Sequence, residues 1–122
     1  GADSWDELVR STVIAISHRD DSTRTHYFQT TVQNGDIIGF WVNDARWAQF
    51  VVTGKSGTLT TSHGAQYTRF TVRPVSSLPL SPETTGFQFA SNATVFFFFT
   101  RTDGSGGTVA VPVDDSDFTV TP

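Results

Sequence analysis

The chain has 122 residues, a formal net charge of −4 and no cysteine. That length suits one hydrophobic core, and the missing cysteines exclude disulfides, Cys-bound zinc and thiol catalysis together. No apolar run of about 18 residues and no signal-peptide pattern occurs, so no membrane insertion is expected; seven scattered arginines and Lys55 argue against nucleic acid contact.

Methionine is also absent and the chain begins Gly1-Ala2-Asp3. The expectation is a single β-rich domain over 1–122, excised from a longer polypeptide. Ser4-Trp5-Asp6-Glu7 matches a capping box and predicts one short helical turn. Beyond it the apolar period is two, which predicts strands near 11–17, 25–33, 36–42, 48–53, 58–61, 66–73, 85–89, 93–100, 107–113 and 117–121. Their spacing predicts an all-β fold, an antiparallel β-sandwich or jelly roll of about eight to ten short strands.

Asn34-Gly35, between two of these runs, predicts a hairpin with a type I′ turn in which Gln33 faces Asp36 and Val32 faces Ile37. Counting outwards puts Phe28, Val32, Ile37 and Trp41 on one face, with Ile38, Phe40 and Val42 on the other. In "WVNDARWAQF" the two tryptophans, Trp41 and Trp47, flank Asn43, Asp44 and Arg46. Rings beside planar polar groups are what sugar sites use, although tryptophans are more often core. Gly54-Lys55-Ser56 lacks the upstream glycine and following helix of a phosphate loop, since Gln49 stands where that glycine would be. "VSSLPLSPETTG" (75–86), with three prolines, is the longest irregular connection.

"TVFFFFT" (94–100) sends Phe96 and Phe98 to one face and Phe97 and Phe99 to the other. Both faces then need covering, because each wet phenylalanine forfeits on the order of 1.5–3 kcal/mol. A fold-back of 75–86, an outer layer round a barrel, or a second copy are the options. The expectation is a homodimer with Ile38, Phe40, Phe97 and Phe99 in its interface. The loop 101–107 is glycine-rich and exposes Arg101 and Asp103 as contact residues. Pro112 lacks a donor and marks an edge or bulged strand. Asp114, Asp115 and Asp117 in "VDDSDF" are candidate ligands for calcium; a merely solvated acidic loop is the commoner arrangement. His18, His26 and His63 show no metal spacing, and no nucleophile context supports a triad, so no enzyme is expected.

The run "THYFQTTVQNGDIIGFWVNDARWAQFVV", within a threonine-rich domain free of cysteine, resembles a protruding domain of a small icosahedral RNA virus capsid protein. It is most similar to the spikes of shrimp and prawn nodaviruses. The resemblance implies a β-rich domain hinged to a capsid shell, dimeric at the virion surface and meeting a host-cell receptor or glycan. It also implies calcium held in acidic loops, for which 114–117 is the only matching cluster. The alternative from a different class is a carbohydrate-binding module or lectin, using Trp41, Asn43, Asp44, Arg46 and Trp47.

Overall fold

A computed structural model describes residues 10–43, 46–75 and 93–119, with backbone alone at Val42, Asn43, Arg46 and Asp115. Its strands are β1 (Val13–Ser17), β2 (Ile37–Asn43), β3 (Arg46–Lys55), β4 (Leu59–Thr60), β5 (Gln66–Pro74), β6 (Ala93–Thr100), β7 (Gly106–Val113) and β8 (Phe118–Thr119). A four-residue helix, α1 (Phe28–Thr31), precedes β2, and a 3-10 turn (Asp115–Asp117) precedes β8. The fold is all-β and sandwich-like. Every strand pair is antiparallel. The capping box at 4–7, the expected strand at 85–89 and most of the 75–86 connection lie outside the described residues.

The strand order is β7-β6-β2-β3-β5-β1-β8, with β4 beside β5. Laid flat, the six gaps between β7 and β8 would separate them by roughly 29 Å. Yet they are consecutive in the chain, and the link 114–117 can span no more than ~17 Å. The sheet must therefore roll until its ends approach. Rings confirm it: Phe118 of β8 lies 5.1 Å from Phe40 of β2 and 6.4 Å from Phe97 of β6. Rolling gives each strand an inside and an outside. Inside are Ile14, Ile16, Ile38, Phe40, Phe50, Val52, Phe70, Val95, Phe97, Val111 and Phe118, all essentially inaccessible. Pro112 sits in β7, at one end of the order, where its missing donor costs no inner ladder bond.

The expected strand at 25–33 does not form. Phe28–Thr31 is helical, and β2 pairs with β3 and β6 instead. Tertiary partners explain the change. Thr30 and Thr31 hydroxyls donate to the Tyr27 carbonyl at 2.8 and 3.1 Å. Lys55 Nζ donates to the carbonyls of Gln29 and Val32 at 2.9 and 2.8 Å, and Arg101 Nη2 donates to Thr31 O. Two cations distant in sequence thus satisfy carbonyls that a short helix leaves open. The turn is closed by Asp36 N donating to Gln33 O at 3.0 Å and Gln33 N to Asp36 Oδ2 at 2.8 Å. Only Gly35, with φ of +92°, is left-handed, so the two-residue type I′ geometry is absent. In consequence Phe28 and Val32 join Ile38 and Phe40 in the interior, while Trp41 is exposed.

Closure of the sheet predicts the main stability result. Phe118→Ala should cost about 3–5 kcal/mol, whereas Tyr27→Ala, at a side chain 70% exposed, should cost under ~0.5 kcal/mol. Urea denaturation of the two variants measures the contrast.

Candidate functional site

The four residues expected at a dimer interface are interior ones: Ile38, Phe40 and Phe97 are 0% exposed and Phe99 is 5%. That expectation is corrected by the sense of the roll, which turns this face of β2 and β6 onto β3 and β8. The opposite face carries the surface aromatics. Trp41 pairs in register with Phe96 of β6 on one side and Trp47 of β3 on the other, so three rings form one row across three strands. The next row is Phe98, Gly39 and Gln49. A Cβ on Gly39 would lie 2.5 Å from Phe98 Cζ, so the glycine leaves the space that this ring fills. Trp41 and Phe96 are each 40% exposed, with ring centroids 5.8 Å apart. A shallow cleft of about 340 Å³ lies between Trp41, Trp47, Gln49 and Phe98. Asp44 and the side chains of Asn43 and Arg46 lie outside the described residues.

Arg101 is not a free contact residue. Its Nε donates to both Asp36 carboxylate oxygens at 3.1 Å, and its guanidinium lies 5.4 Å from the Phe99 ring centroid. Asp36 is buried, so the pair anchors the turn at 33–36 to the end of β6. Asp103 stays exposed in a tight turn, where Oδ1 accepts from Ser105 N at 2.8 Å and Ser105 Oγ at 2.7 Å. Those hydrogen bonds, the backbone one first, lower its pKa.

The acidic stretch is likewise organised by its own backbone. Asp114 Oδ1 accepts from Ser116 N at 2.9 Å and from Ser116 Oγ, and Asp117 Oδ2 accepts from Asp114 N at 3.1 Å. Among the described residues no three carboxylate or imidazole groups converge as a metal site would require. Asp114 and Asp117 thus act as turn caps, and the side chain of Asp115 lies outside the described residues.

What sequence reading missed is where Asp117 points. Burial pushes its carboxyl up to about 6, opposed by the hydrogen bond from the Asp114 amide and aided to a smaller extent by the Asp114 charge. It lines a groove of about 440 Å³ outside the sheet. The floor is the outward side of β1, Val13, Ala15 and Ser17. In register, Ala15 faces Arg69 and Ser17 faces Tyr67 on β5. On the other side the β1/β8 ladder ends at Ile14 and Phe118, and the 3-10 turn carrying Asp117 follows directly. Short side chains between a raised turn and two long ones make the groove. The alternation in "VIAIS" was the available signal, since it predicts small outward residues.

Two histidines tie the 17–28 segment to the sheet. His18 Nε2 lies 2.8 Å from Thr68 Oγ1 in the interior. His26 donates through Nε2 to the Ser17 carbonyl, while Nδ1 accepts from Phe28 N at 3.3 Å. The second bond requires an unprotonated Nδ1, so a proton there would face the Phe28 amide hydrogen. Burial lowers the pKa of both rings, aided at His18 by His26 and opposed at His26 by the Ser17 carbonyl and Asp20.

No family model, curated protein or solved structure matches the chain.

Two pH effects of opposite sign follow. The histidines bind protons more weakly folded than unfolded, so their contribution is lost as pH falls below their ordinary 6.5. Urea midpoints should drop from pH 7.5 to pH 5.5, and a His18→Gln, His26→Gln chain should lose much of that slope. Asp117 binds its proton more tightly when folded, so its contribution falls as pH rises from its ordinary 3.8 through about 6. At neutral pH Asp117→Asn should therefore stabilise by on the order of 1 kcal/mol, a gain that fades towards pH 4.

Proposed function

We propose that the chain is a non-enzymatic protruding domain of a viral capsid protein, displayed at the virion surface, paired as a homodimer and used in host-cell attachment. The remainder of the capsid protein supplies the shell, and neither nucleic acid nor a membrane is a partner of this domain. One observation carries the reading: the aromatic row Phe96, Trp41 and Trp47 on the outer face of an all-β domain. Exposed clustered rings mark association surfaces, and a two-fold axis lets the same row serve both partners. The resemblance of residues 25–52 to crustacean nodavirus spikes supplies the biological setting.

The described histidines 18 and 26 hold a threonine hydroxyl, a carbonyl and an amide, which are structural tasks. No helix among the described residues is long and apolar enough to cross a membrane. A carbohydrate-binding module remains the competing reading, favoured by the cleft between Trp41 and Trp47.

Sedimentation velocity separates them. The chain should sediment as a dimer at micromolar concentration, and Trp41→Ser with Phe96→Ser should weaken the dimer by roughly a hundredfold, about 2.7 kcal/mol, with an unchanged circular dichroism spectrum. A monomer throughout, with tryptophan fluorescence quenched by free sugars and restored by Trp47→Ala, would establish the module instead.

A further inference from the structure

We propose that the groove between the outer side of β1 and the turn at 114–117 is a binding site for an uncharged sugar residue of a glycan. The inference gives the attachment reading a ligand class and a site, but it stands on separate residues from the aromatic row.

The register defines the geometry. Arg69 and the turn bearing Asp117 lie on opposite sides of Ala15, each about one strand spacing of ~4.8 Å away. Between them the floor is only methyl-sized, and a cavity of about 440 Å³ exceeds what a single pyranose ring needs. Tyr67, half-buried and two residues along β5 from Arg69, offers an aromatic face for the C–H side of such a ring. Gln66 and Thr61 continue the lining with neutral donors and acceptors, and Ser116 does so beside Asp117.

The charges choose the ligand class. Asp117 is aimed by a reciprocal pair of bonds, since Asp117 N donates to Asp114 O at 3.1 Å while Asp114 N donates to Asp117 Oδ2 at 3.1 Å. It is therefore a held acceptor for sugar hydroxyls, and Arg69 is the matching donor. Asp117 and Arg69, which line the groove on either side of β1, carry opposite charges that balance. An acidic sugar would meet Asp117 unfavourably and a cationic ligand would meet Arg69. Vicinal hydroxyls, which donate and accept at once, satisfy both, and charge-assisted bonds to them are the stronger kind. Neutral polar groups set among small apolar ones, with one aromatic wall, complete the match.

The test is a titration of the isotopically labelled 122-residue chain with free galactose, glucose, mannose, fucose and N-acetylglucosamine, followed by amide chemical shifts. Sialic acid and glycine serve as charged comparisons. At least one neutral sugar should shift the amides of Ala15, Ser17, Tyr67 and Arg69 saturably, leaving Trp41 and Phe96 unmoved. Arg69→Ala and Asp117→Asn should each weaken that binding by roughly tenfold or more. Asn keeps an acceptor for the Asp114 amide, so the turn should persist. Ala15→Leu, which fills the floor while keeping every polar group, should abolish binding and leave sedimentation unchanged. Shifts confined to Trp41 and Trp47, shifts with only the charged compounds, or none with any compound would overturn the proposal. The sedimentation of the unmodified chain decides the dimer independently of these outcomes.

Discussion

Sheet closure by the link at 114–117 is the constraint on which the rest of the molecule depends. Strands at opposite ends of the order are joined by a connection too short to cross a flat sheet, so the sheet has to roll. Rolling carries Phe118 over Phe40 and Phe97 and places β8 beside β1. The stacked pair Phe40 and Phe50, 5.9 Å apart, extends the same aromatic core to β3. Without that closure the inner faces of β2 and β6 would be as wet as the outer ones.

The same link also shapes a surface. Because its 3-10 turn stands above the small side chains of β1, it rims the groove as well as closing the sheet. Asp117 is held there half-buried with a raised pKa, an arrangement that costs stability at neutral pH. A costly ionisable group in a concavity is a common mark of a functional position. The aromatic row on the far strands has a different physical character, flat and apolar, and suits a protein partner better than a small polar one. One chain thus offers two kinds of surface, set by which strands curve over which neighbours.

A second clamp works locally. Asp36 closes the turn at 33–36, and Arg101, just past β6, and Lys55 of β3 reach to it and to α1. This network explains why a threonine-rich run with β-forming composition ends as a helical turn. The backbone conformation of "FQTT" is decided by cations that arrive from 26 and 70 residues away in sequence.

By itself, the sequence determined the class of fold, because strand period and turn residues are local properties. The alternation of β1, β5, β6 and β7 and the edge position implied by Pro112 could all be read without coordinates. So could the division of "FFFF" into two pairs. Which pair faces inwards could not, since a period of two leaves both faces equivalent until another layer covers one. The tertiary structure made that choice through Phe118, and in doing so moved the surface aromatics from Phe97 and Phe99 to Phe96 and Trp41. It likewise brought Asp117 and Arg69, distant in the chain, to opposite sides of one groove, because β1 lies between β5 and β8. Local pattern fixes how a residue points along its strand, whereas burial and convergence depend on contacts between strands that only the closed sheet creates.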